Sequence, residues 1–252
     1  MTGIDGSGNY LQEIHHSIFN SHNVTSLRLR NIGLKALPSE ITNLMSLSLL
    51  DLSENYLSHP DPRAEVLNSF SFLKTVIFER NRIADFPIDA SSPLNTRLMH
   101  LNIGWNAMSD LKDFSALQCK YLNVSKTVHP WSYFKAASYT VQPLCWYLTE
   151  LVLRECLLSR IPSNLHTITG LTVLDVSDNS LIGLNSIERL SQLISLDVRN
   201  NSLLSLPLQM AGMKLLTTIQ LDGNTGLIDP PAHIVALGAA GIKKHLLRHT
   251  KG

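Results

Sequence analysis

One pattern of apolar and polar positions returns along most of the chain. It is clearest in LTVLDVSDNSLIGL, which starts at residue 171, and in LISLDVRNNSLLSLP, which starts at residue 193. Both follow the template LxxLxLxxNxLxxLP. Nine returns of one phrase predict a repeat protein rather than a domain built around one central core. The first template position falls at Val24, Leu47, Leu73, Leu98, Cys119, Leu148, Leu171, Leu193 and Leu216, with spacings of 23, 26, 25, 21, 29, 23, 22 and 23 residues.

The apolar positions of the template have the period of a short strand. In LxxLxL, alternate side chains point to opposite faces, so the leucines enter a core and the residues between them face outward. One such strand cannot bury its apolar face alone, whereas stacked copies share a continuous core. We therefore predict an α/β solenoid with a concave parallel β-sheet of about nine strands. The asparagines at template position nine should turn inward and bind backbone groups; they are Asn55, Asn81, Asn106, Asn179, Asn201 and Asn224.

The two ends of the array need covers, because a terminal repeat would otherwise expose its core. We predict that residues 1–23 form a flexible start and an N-terminal capping helix in NYLQEIHHSIF, with Asn9 as its N-cap. Residues 24–229 are the repeat array. Residues 230–252 should form a C-terminal capping helix with a basic tail, since two prolines suit its start and apolar residues then recur every four positions.

These residues make the chain resemble the leucine-rich repeat family, whose repeats are about 20 to 29 residues long. The resemblance covers residues 24 to about 229. The endings LKALPSEI, LSRIPSNL and LSLPLQM resemble those of intracellular members that serve as Ras-pathway scaffolds, polarity scaffolds and plant Ras-group-related proteins. The closing segment GNTGLIDPPAHIVALGAAGIKKHLL is similar to the helix that follows the array in many intracellular members and in Roco-type proteins. The resemblance implies a protein-binding role, and regulation of a small GTPase or a phosphatase is one form of it.

The net charge, the lack of a signal-peptide or membrane-spanning pattern, and the number of cysteines indicate which partners and which compartment to expect. The net charge of +1 provides no global field toward phosphate, so we expect nucleic acid only as part of a larger complex. The start of the chain lacks a basic segment followed by an apolar one, and no segment has about eighteen uninterrupted apolar residues. We therefore predict no membrane insertion. Three cysteines, an odd number, fit a reducing compartment better than a disulfide framework, which predicts an intracellular, cytoplasmic protein.

Sequence motifs for catalysis, cofactors and metals are missing. GAAGIKKH at residues 238–245 does not meet the GxxxxGK[ST] spacing of a phosphate loop. Asp51, Asp175 and Asp197 share one template position, but an open sheet lacks the desolvated pocket that a general acid needs. We predict no enzyme, and with it no catalytic residues, no cofactor, no metal site and no small-molecule substrate.

The outward residues of the strands, at template positions three, five, seven and eight, form the candidate partner-binding surface. The first repeat places Arg28 and Arg30 at a basic end, and later repeats place Asp175 and Asp197 at an acidic end. Between these ends lie apolar and aromatic side chains, where a scaffold would ordinarily have polar ones; they are Leu49, Ile77, His100, Trp105, Tyr121 and Val152. Aromatic anchors with charged flanks are typical of protein-binding surfaces. The alternative interpretation is that these side chains only satisfy strand propensity or pack on their neighbours.

One segment breaks the repeat pattern. Residues 127–147, TVHPWSYFKAASYTVQPLCWY, hold six of the sixteen aromatic side chains. They follow the fifth predicted strand, in the repeat with the longest spacing, 29 residues. We expect these rings to fill the extra volume behind the sheet. A second docking site on the convex side is the alternative.

The sequence therefore predicts a non-catalytic intracellular adaptor that binds a protein partner on its concave face. One alternative is a permanent structural subunit of a large cytoskeletal or ribonucleoprotein assembly. Another, implied only by the resemblance, is a regulatory partner of a small GTPase or a phosphatase.

Overall fold

A computed structural model of the chain describes residues 2–9, 14–58, 63–86, 88, 91–108, 117–127, 147–162 and 165–249. The chain forms two compact units, Met1–Ala137 and Ser138–Gly252. Within each unit, every strand pairs in parallel with the strand of the following repeat. This arrangement confirms the predicted solenoid with its parallel sheet.

The first unit has six strands among its described residues, paired in chain order. They are short because only the LxL centre of the template alternates with a period of two. In β1 the central apolar residue, Ile4, is half-buried. In the other five strands it is at most 2% exposed; these residues are Leu27, Leu50, Val76, Leu101 and Leu122. The strands are β1 (Thr2–Asp5), β2 (Val24–Arg28), β3 (Leu49–Asp51), β4 (Thr75–Ile77), β5 (His100–Asn102) and β6 (Tyr121–Asn123).

Short helical segments connect the strands of the first unit. They are the 3-10 helices His16–Asn20 and Ser39–Asn43 and the α-helices α1 (Ala64–Ser69) and α2 (Leu94–Arg97). Each places at least one apolar side chain in the core; Phe19, Ile41, Leu67 and Leu94 are at most 1% exposed. Residues 128–146, most of the aromatic segment, lie outside the described residues, so the expectation for their rings stays a prediction.

The second unit repeats this plan with four strands among its described residues. They are β7 (Glu150–Val152), β8 (Val173–Asp175), β9 (Ser195–Asp197) and β10 (Thr218–Gln220). The connecting 3-10 helices are Leu165–Thr167, Ile187–Arg189 and Leu208–Gly212. Two α-helices follow β10, namely α3 (Ala232–Val235) and α4 (Gly238–His249).

The start of the chain is a degenerate repeat, where the sequence analysis expected a flexible start. β1 pairs with β2, and Asp5 at template position five accepts the N–H of Ser7 at 3.0 Å. Gly8 occupies position eight with a φ of 74°. Asn9, expected to cap a helix, occupies position nine and donates to the carbonyl of Gly6 at 3.0 Å. The helical part that follows is the 3-10 helix His16–Asn20, whose cap is the ring nitrogen of His15; residues 10–13 of the predicted helix lie outside the described residues.

The asparagine ladder at template position nine is confirmed in both units. Asn179 shows the pattern: its Oδ1 accepts the N–H groups of Cys156 at 2.9 Å and Leu158 at 3.0 Å, both in the preceding repeat. Its Nδ2 donates to the carbonyls of Leu153, Val176 and Ser177. Each such side chain therefore bonds to two turns, the turn after its own strand and the corresponding turn of the preceding repeat. The same kinds of bond are made by Asn55, Asn81, Asn106, Asn201 and Asn224.

Two helices, rather than the one expected over residues 230–252, follow the last strand, and Gly238, the first residue of the second helix, has a φ of 68°. Helix α4 packs on the 3-10 helix Leu208–Gly212 and on β10, and its Ile242 and Leu246 are fully buried. Lys243 Nζ donates to the carbonyls of Met213 at 3.1 Å and Leu216 at 2.8 Å. These contacts support a capping role for α4 at the end of the second unit.

Candidate functional site

Strand register arranges the outward side chains of the first unit in two rows. One row runs through Ser26, Leu49, Thr75, His100 and Tyr121. The other runs through Arg28, Asp51, Ile77, Asn102 and Asn123. Because neighbouring parallel strands lie about 4.8 Å apart, side chains adjacent in a row are close enough to pack on one another. The outward residues predicted from the template therefore do share one face within this unit.

His100 and Tyr121 form an aromatic stack on this face. They are direct partners in the register of β5 and β6. Their ring centroids lie 4.0 Å apart, and the ring planes are only 3° from parallel. Both side chains are half-buried, so the stack keeps part of its surface toward solvent. The leucine core holds both strands from behind, which fixes the stack without requiring a partner.

Trp105 lies just beyond β5, at template position eight. This position adopts the left-handed conformation in repeat after repeat, with φ between 52° and 57° at Asn31, Glu54, Arg80, Trp105, Glu155, Asp178 and Asn200. The cause is the backbone: the N–H of each such residue donates to a carbonyl of the next repeat, as Trp105 does to Ser125 at 2.8 Å. The guanidinium of Arg80 lies 5.0 Å from the centre of the Trp105 ring, a cation–π contact between adjacent repeats.

A polar link joins the strand rows to the tryptophan. The side-chain amide of Asn102 donates to Glu79 Oε2 at 2.8 Å, and Glu79 Oε1 lies 3.4 Å from Arg80 Nε. Glu79 therefore connects the residue beside the stack to the cation above the tryptophan. We call the following set the aromatic patch: Glu79, Arg80, His100, Asn102, Trp105 and Tyr121.

The two arginines predicted at the basic end are already engaged within the chain. Arg28 donates to Ser26 Oγ at 2.8 Å, along its own strand. Arg30 Nη2 donates to Glu54 Oε1 at 2.7 Å, across a repeat boundary. This bond lowers the pKa of the Glu54 carboxyl and raises the pKa of Arg30. Both arginines keep exposed surface, but the charge of Arg30 is partly compensated by Glu54.

Template position five has a structural use that the sequence analysis missed. Asp51, Asn123 and Asp175 each accept two hydrogen bonds on Oδ1, from the N–H and the hydroxyl of the serine two residues later, at 2.6 to 3.0 Å. Such Asx turns satisfy backbone groups at the point where the chain leaves a strand. The signal is visible in the sequence as DLS, NVS and DVS, with the acceptor two positions before the serine.

The second unit places the remaining predicted residues on three neighbouring strands. Val152, Asp175 and Asp197 are register partners on β7, β8 and β9. Asp175 is held by its serine, and Asp197 binds the guanidinium of Arg199 with an Nη2 to Oδ2 distance of 2.6 Å, which raises the pKa of Arg199. Val152 is half-buried beside them. Both predicted carboxylates thus have acceptor oxygens occupied by their own chain.

No protein-family model matches the sequence. Among curated proteins, the chain is 30% identical to Tsukushi of Mus musculus over 220 residues, which cover 82% of this chain and 59% of Tsukushi. The chain spans about three fifths of the length of the Tsukushi proteins of Mus musculus and Rattus norvegicus.

Among solved structures, the leucine-rich repeat protein LIC12759 of Leptospira interrogans has a TM-score of 0.71 at 24% identity, over 94% of this chain and 58% of that protein. The plant peptide hormone receptor RGFR1, solved in complex with RGF2, has a TM-score of 0.56 at 19% identity, over 90% of this chain and 43% of the receptor. At these identities the structures show a shared fold. The narrower likeness to intracellular Ras-pathway scaffolds is not confirmed. No helix among the described residues has both the length and the apolar character to span a bilayer.

Proposed function

We propose that the chain, which has the leucine-rich repeat fold, is a non-catalytic module that binds a protein or peptide through the aromatic patch of its first unit. The observation that carries this proposal is the His100–Tyr121 stack, held half-buried on the outward face of β5 and β6. Aromatic side chains contribute large contact areas with little conformational entropy to lose, and they dominate the energetics of protein interfaces.

The surroundings of the stack favour a polypeptide as the ligand. Glu79 and Asn102 offer acceptor and donor groups that suit backbone amides, and they are fixed by their mutual hydrogen bond. Trp105 adds an aromatic surface, while Arg80 and Glu79 largely balance each other in charge. A nearly neutral patch of rings and amides suits a peptide segment with apolar side chains better than a polyanion.

The fold comparisons support a protein or peptide as the class of ligand. The plant peptide hormone receptor RGFR1, which shares this fold, has been solved in complex with RGF2, so a protein of this fold can serve as a peptide receptor. Leucine-rich repeats present an extended concave surface, and repeat proteins commonly bind their partners there. Identity to that receptor is 19%, so the partner itself is not carried over.

The test is a binding comparison with matched aromatic variants. Partners recovered by proximity labelling are expressed singly, and their Kd values are measured against the unmodified chain. Replacing Trp105 and Tyr121 by Ala should weaken binding at least tenfold, about 1.4 kcal/mol, because truncating an interface anchor commonly costs about 2 kcal/mol or more.

Tyr56 provides a matched control within the same unit. Its ring also lies beneath an arginine, with the guanidinium of Arg82 4.8 Å from the ring centre, but it follows template position nine and lies off the strand rows. Tyr56→Ala should leave the Kd unchanged. Circular dichroism checks that all variants are folded. Equal weakening by the control, or no weakening by the patch variants, contradicts the proposal.

Two further properties belong to the proposal. The adaptor role predicts a monodisperse protein when the chain is expressed alone, whereas a permanent assembly subunit should sediment only with its assembly. The second property is an intracellular location, which the odd number of three cysteines in the sequence favours over a disulfide-bonded, secreted protein. Fractionation of cells that express a tagged chain tests the location.

A further inference from the structure

Three potential metal ligands meet at the end of the second unit. Asp229, His245 and His249 each offer one ligand atom, and these atoms all lie within 4.8 Å of one another. Asp229 precedes α3, whereas His245 and His249 are four residues apart on α4. That spacing places both imidazoles on one helix face, the arrangement by which histidine pairs on helices bind zinc. The sequence analysis missed the set because Asp229 is distant along the chain.

The elements that carry these ligands are fixed independently of any ion. The carbonyl of Asp229 accepts the N–H of Leu206 at 3.1 Å, which ties it to the preceding repeat. Helix α4 is anchored by the buried Ile242 and Leu246 and by Lys243, which donates to two carbonyls of the array. A site on such rigid supports needs only side-chain rotations to form.

The present side-chain geometry is close to that of a three-ligand zinc centre. His245 Nε2 lies 2.6 Å from Asp229 Oδ1, and the rings of His245 and His249 have centroids 4.8 Å apart. Tetrahedral zinc with bonds of about 2.0 to 2.2 Å places its ligand atoms roughly 3.3 Å apart. A small opening of the Asp–His pair and a rotation of the exposed His249 ring would give that spacing.

We propose that Asp229, His245 and His249 bind a divalent transition metal of the zinc class, with water in the fourth position. Two imidazoles and one carboxylate favour zinc over magnesium or calcium, which prefer all-oxygen sites. The metal would join the loop after the last repeat to the helix that covers it. The site lies in the second unit and is independent of the aromatic patch.

A simpler role for the same residues gives a different expectation for His249. If Asp229 and His245 form only a hydrogen-bonded pair that pins the helix, His249 contributes nothing to it. His249 is exposed, and its removal leaves the buried residues of α4 in place. Its substitution therefore separates the metal site from the pair without unfolding the cap.

The experiment uses the full chain, stripped with EDTA and titrated with ZnCl₂ by calorimetry. The unmodified protein should bind zinc, with MgCl₂ giving no binding under the same conditions. H249A should weaken the tightest zinc site at least tenfold and abolish the zinc-induced rise in melting temperature. H233A removes an exposed histidine outside the cluster, on α3, and should behave as the unmodified protein. Circular dichroism verifies each fold.

Two results would overturn the proposal. One is the absence of zinc binding to the unmodified chain at about 100 μM ZnCl₂, well above the micromolar range typical of specific sites. The other is a zinc affinity of H249A that does not differ from the affinity of the unmodified protein or from that of H233A, since this would place the metal elsewhere.

Discussion

The outward faces of the two units are built on the same frame but present different chemistry. In the first unit, positions three and eight include His100, Tyr121 and Trp105, whose rings contact other side chains. In the second unit, the most prominent outward side chains are carboxylates, and Asp175 and Asp197 bind groups two residues further along their own chain.

This difference shows that facing outward does not by itself make a residue a recognition element. Position five lies beside the turn that ends each strand, so an Asp or Asn there can accept the N–H of position seven. At position three, His100 and Tyr121 instead contact each other as neighbours in their row. We therefore place the candidate binding site at the stacked rings and assign the carboxylates Asp175 and Asp197 a structural role.

The largest expected effect is on the ladder that both units share. Asn179→Leu should lower the free energy of unfolding by about 3 kcal/mol or more, because it leaves several buried backbone groups without partners at roughly 1 to 3 kcal/mol each. Asn81→Leu should have a similar effect in the first unit, where its side chain bonds to Leu57, Leu52 and Phe78. Urea denaturation measures both changes.

Asn185→Leu is the matched control, because Asn185 is exposed and outside the ladder. It should change stability by no more than about 0.5 kcal/mol. A denaturation midpoint unaffected by Asn179→Leu would show that the ladder does not stabilise the stack.

The next effect tests the structural reading of position five. Asp175→Ala should cost about 1 to 2 kcal/mol of stability, since it removes the acceptor for the N–H and the hydroxyl of buried Ser177. Asp175→Asn should restore most of the loss, because Asn123 makes the same two bonds to Ser125 in the first unit. Thermal denaturation in parallel with Asp222→Ala, an exposed carboxylate of the same unit, provides the comparison. Equal losses for both alanine variants would refute the structural assignment.

An effect of similar size is expected from a substitution at the left-handed position eight. Asn31 has a φ of 53° and is exposed. Asn31→Val should destabilise the protein by roughly 1 to 2 kcal/mol, because a β-branched residue is strained in this conformation. Asn31→Gly should be nearly neutral, as the glycine at this position in the ninth repeat, Gly223, shows with its φ of 77°. A melting temperature that falls equally for both would locate the cost in the lost side chain rather than in the backbone.

The smallest effect concerns the ion pair at the basic end. The pKa of Glu54 is lowered in the folded state by its bond to Arg30, so its contribution is present above the unfolded pKa and disappears as pH falls through the folded pKa. Glu54→Gln should therefore cost well under about 1 kcal/mol at pH 7, because the pair is exposed. The difference between variant and unmodified protein should vanish at an acidic pH below the lowered pKa of Glu54. A difference that persists at that pH would assign it to packing instead.

The parts of this structure that follow a strict period could be predicted from the sequence. The leucine frame and the asparagine ladder repeat with fixed spacing, so each residue's face was determined once the register was set. β1 was not predicted because its segment, MTGIDGSGN, matches the template clearly only at position four, Ile4, and position nine, Asn9, and has a glycine at the apolar position six.

The contacts within the candidate site required the structure. His100 and Tyr121 share a row in the template, but whether their rings stack flat on each other depends on side-chain rotation. The cation above Trp105 comes from the preceding repeat and from a backbone conformation that the template does not encode. The Asx turns could have been predicted from the segments DLS, NVS and DVS. They were missed because the acidic residues were interpreted as part of a binding surface.

The direction of the asparagine bonds has a consequence for how the chain is made. Asn55 serves the turn of the repeat before it by accepting the N–H groups of Ile32 and Leu34. The hydrogen bonds of a repeat are therefore incomplete until the next repeat has been synthesised. Because the ribosome makes the chain from its N-terminus, the most recently synthesised repeat always has turn N–H groups without their asparagine acceptor. The newest repeat stays exposed to chaperones and proteases for the time needed to translate the next twenty or so residues, about 1 to 5 s at typical elongation rates. Synonymous codons that slow translation just before an asparagine of the ladder should lengthen that exposure without changing the finished protein.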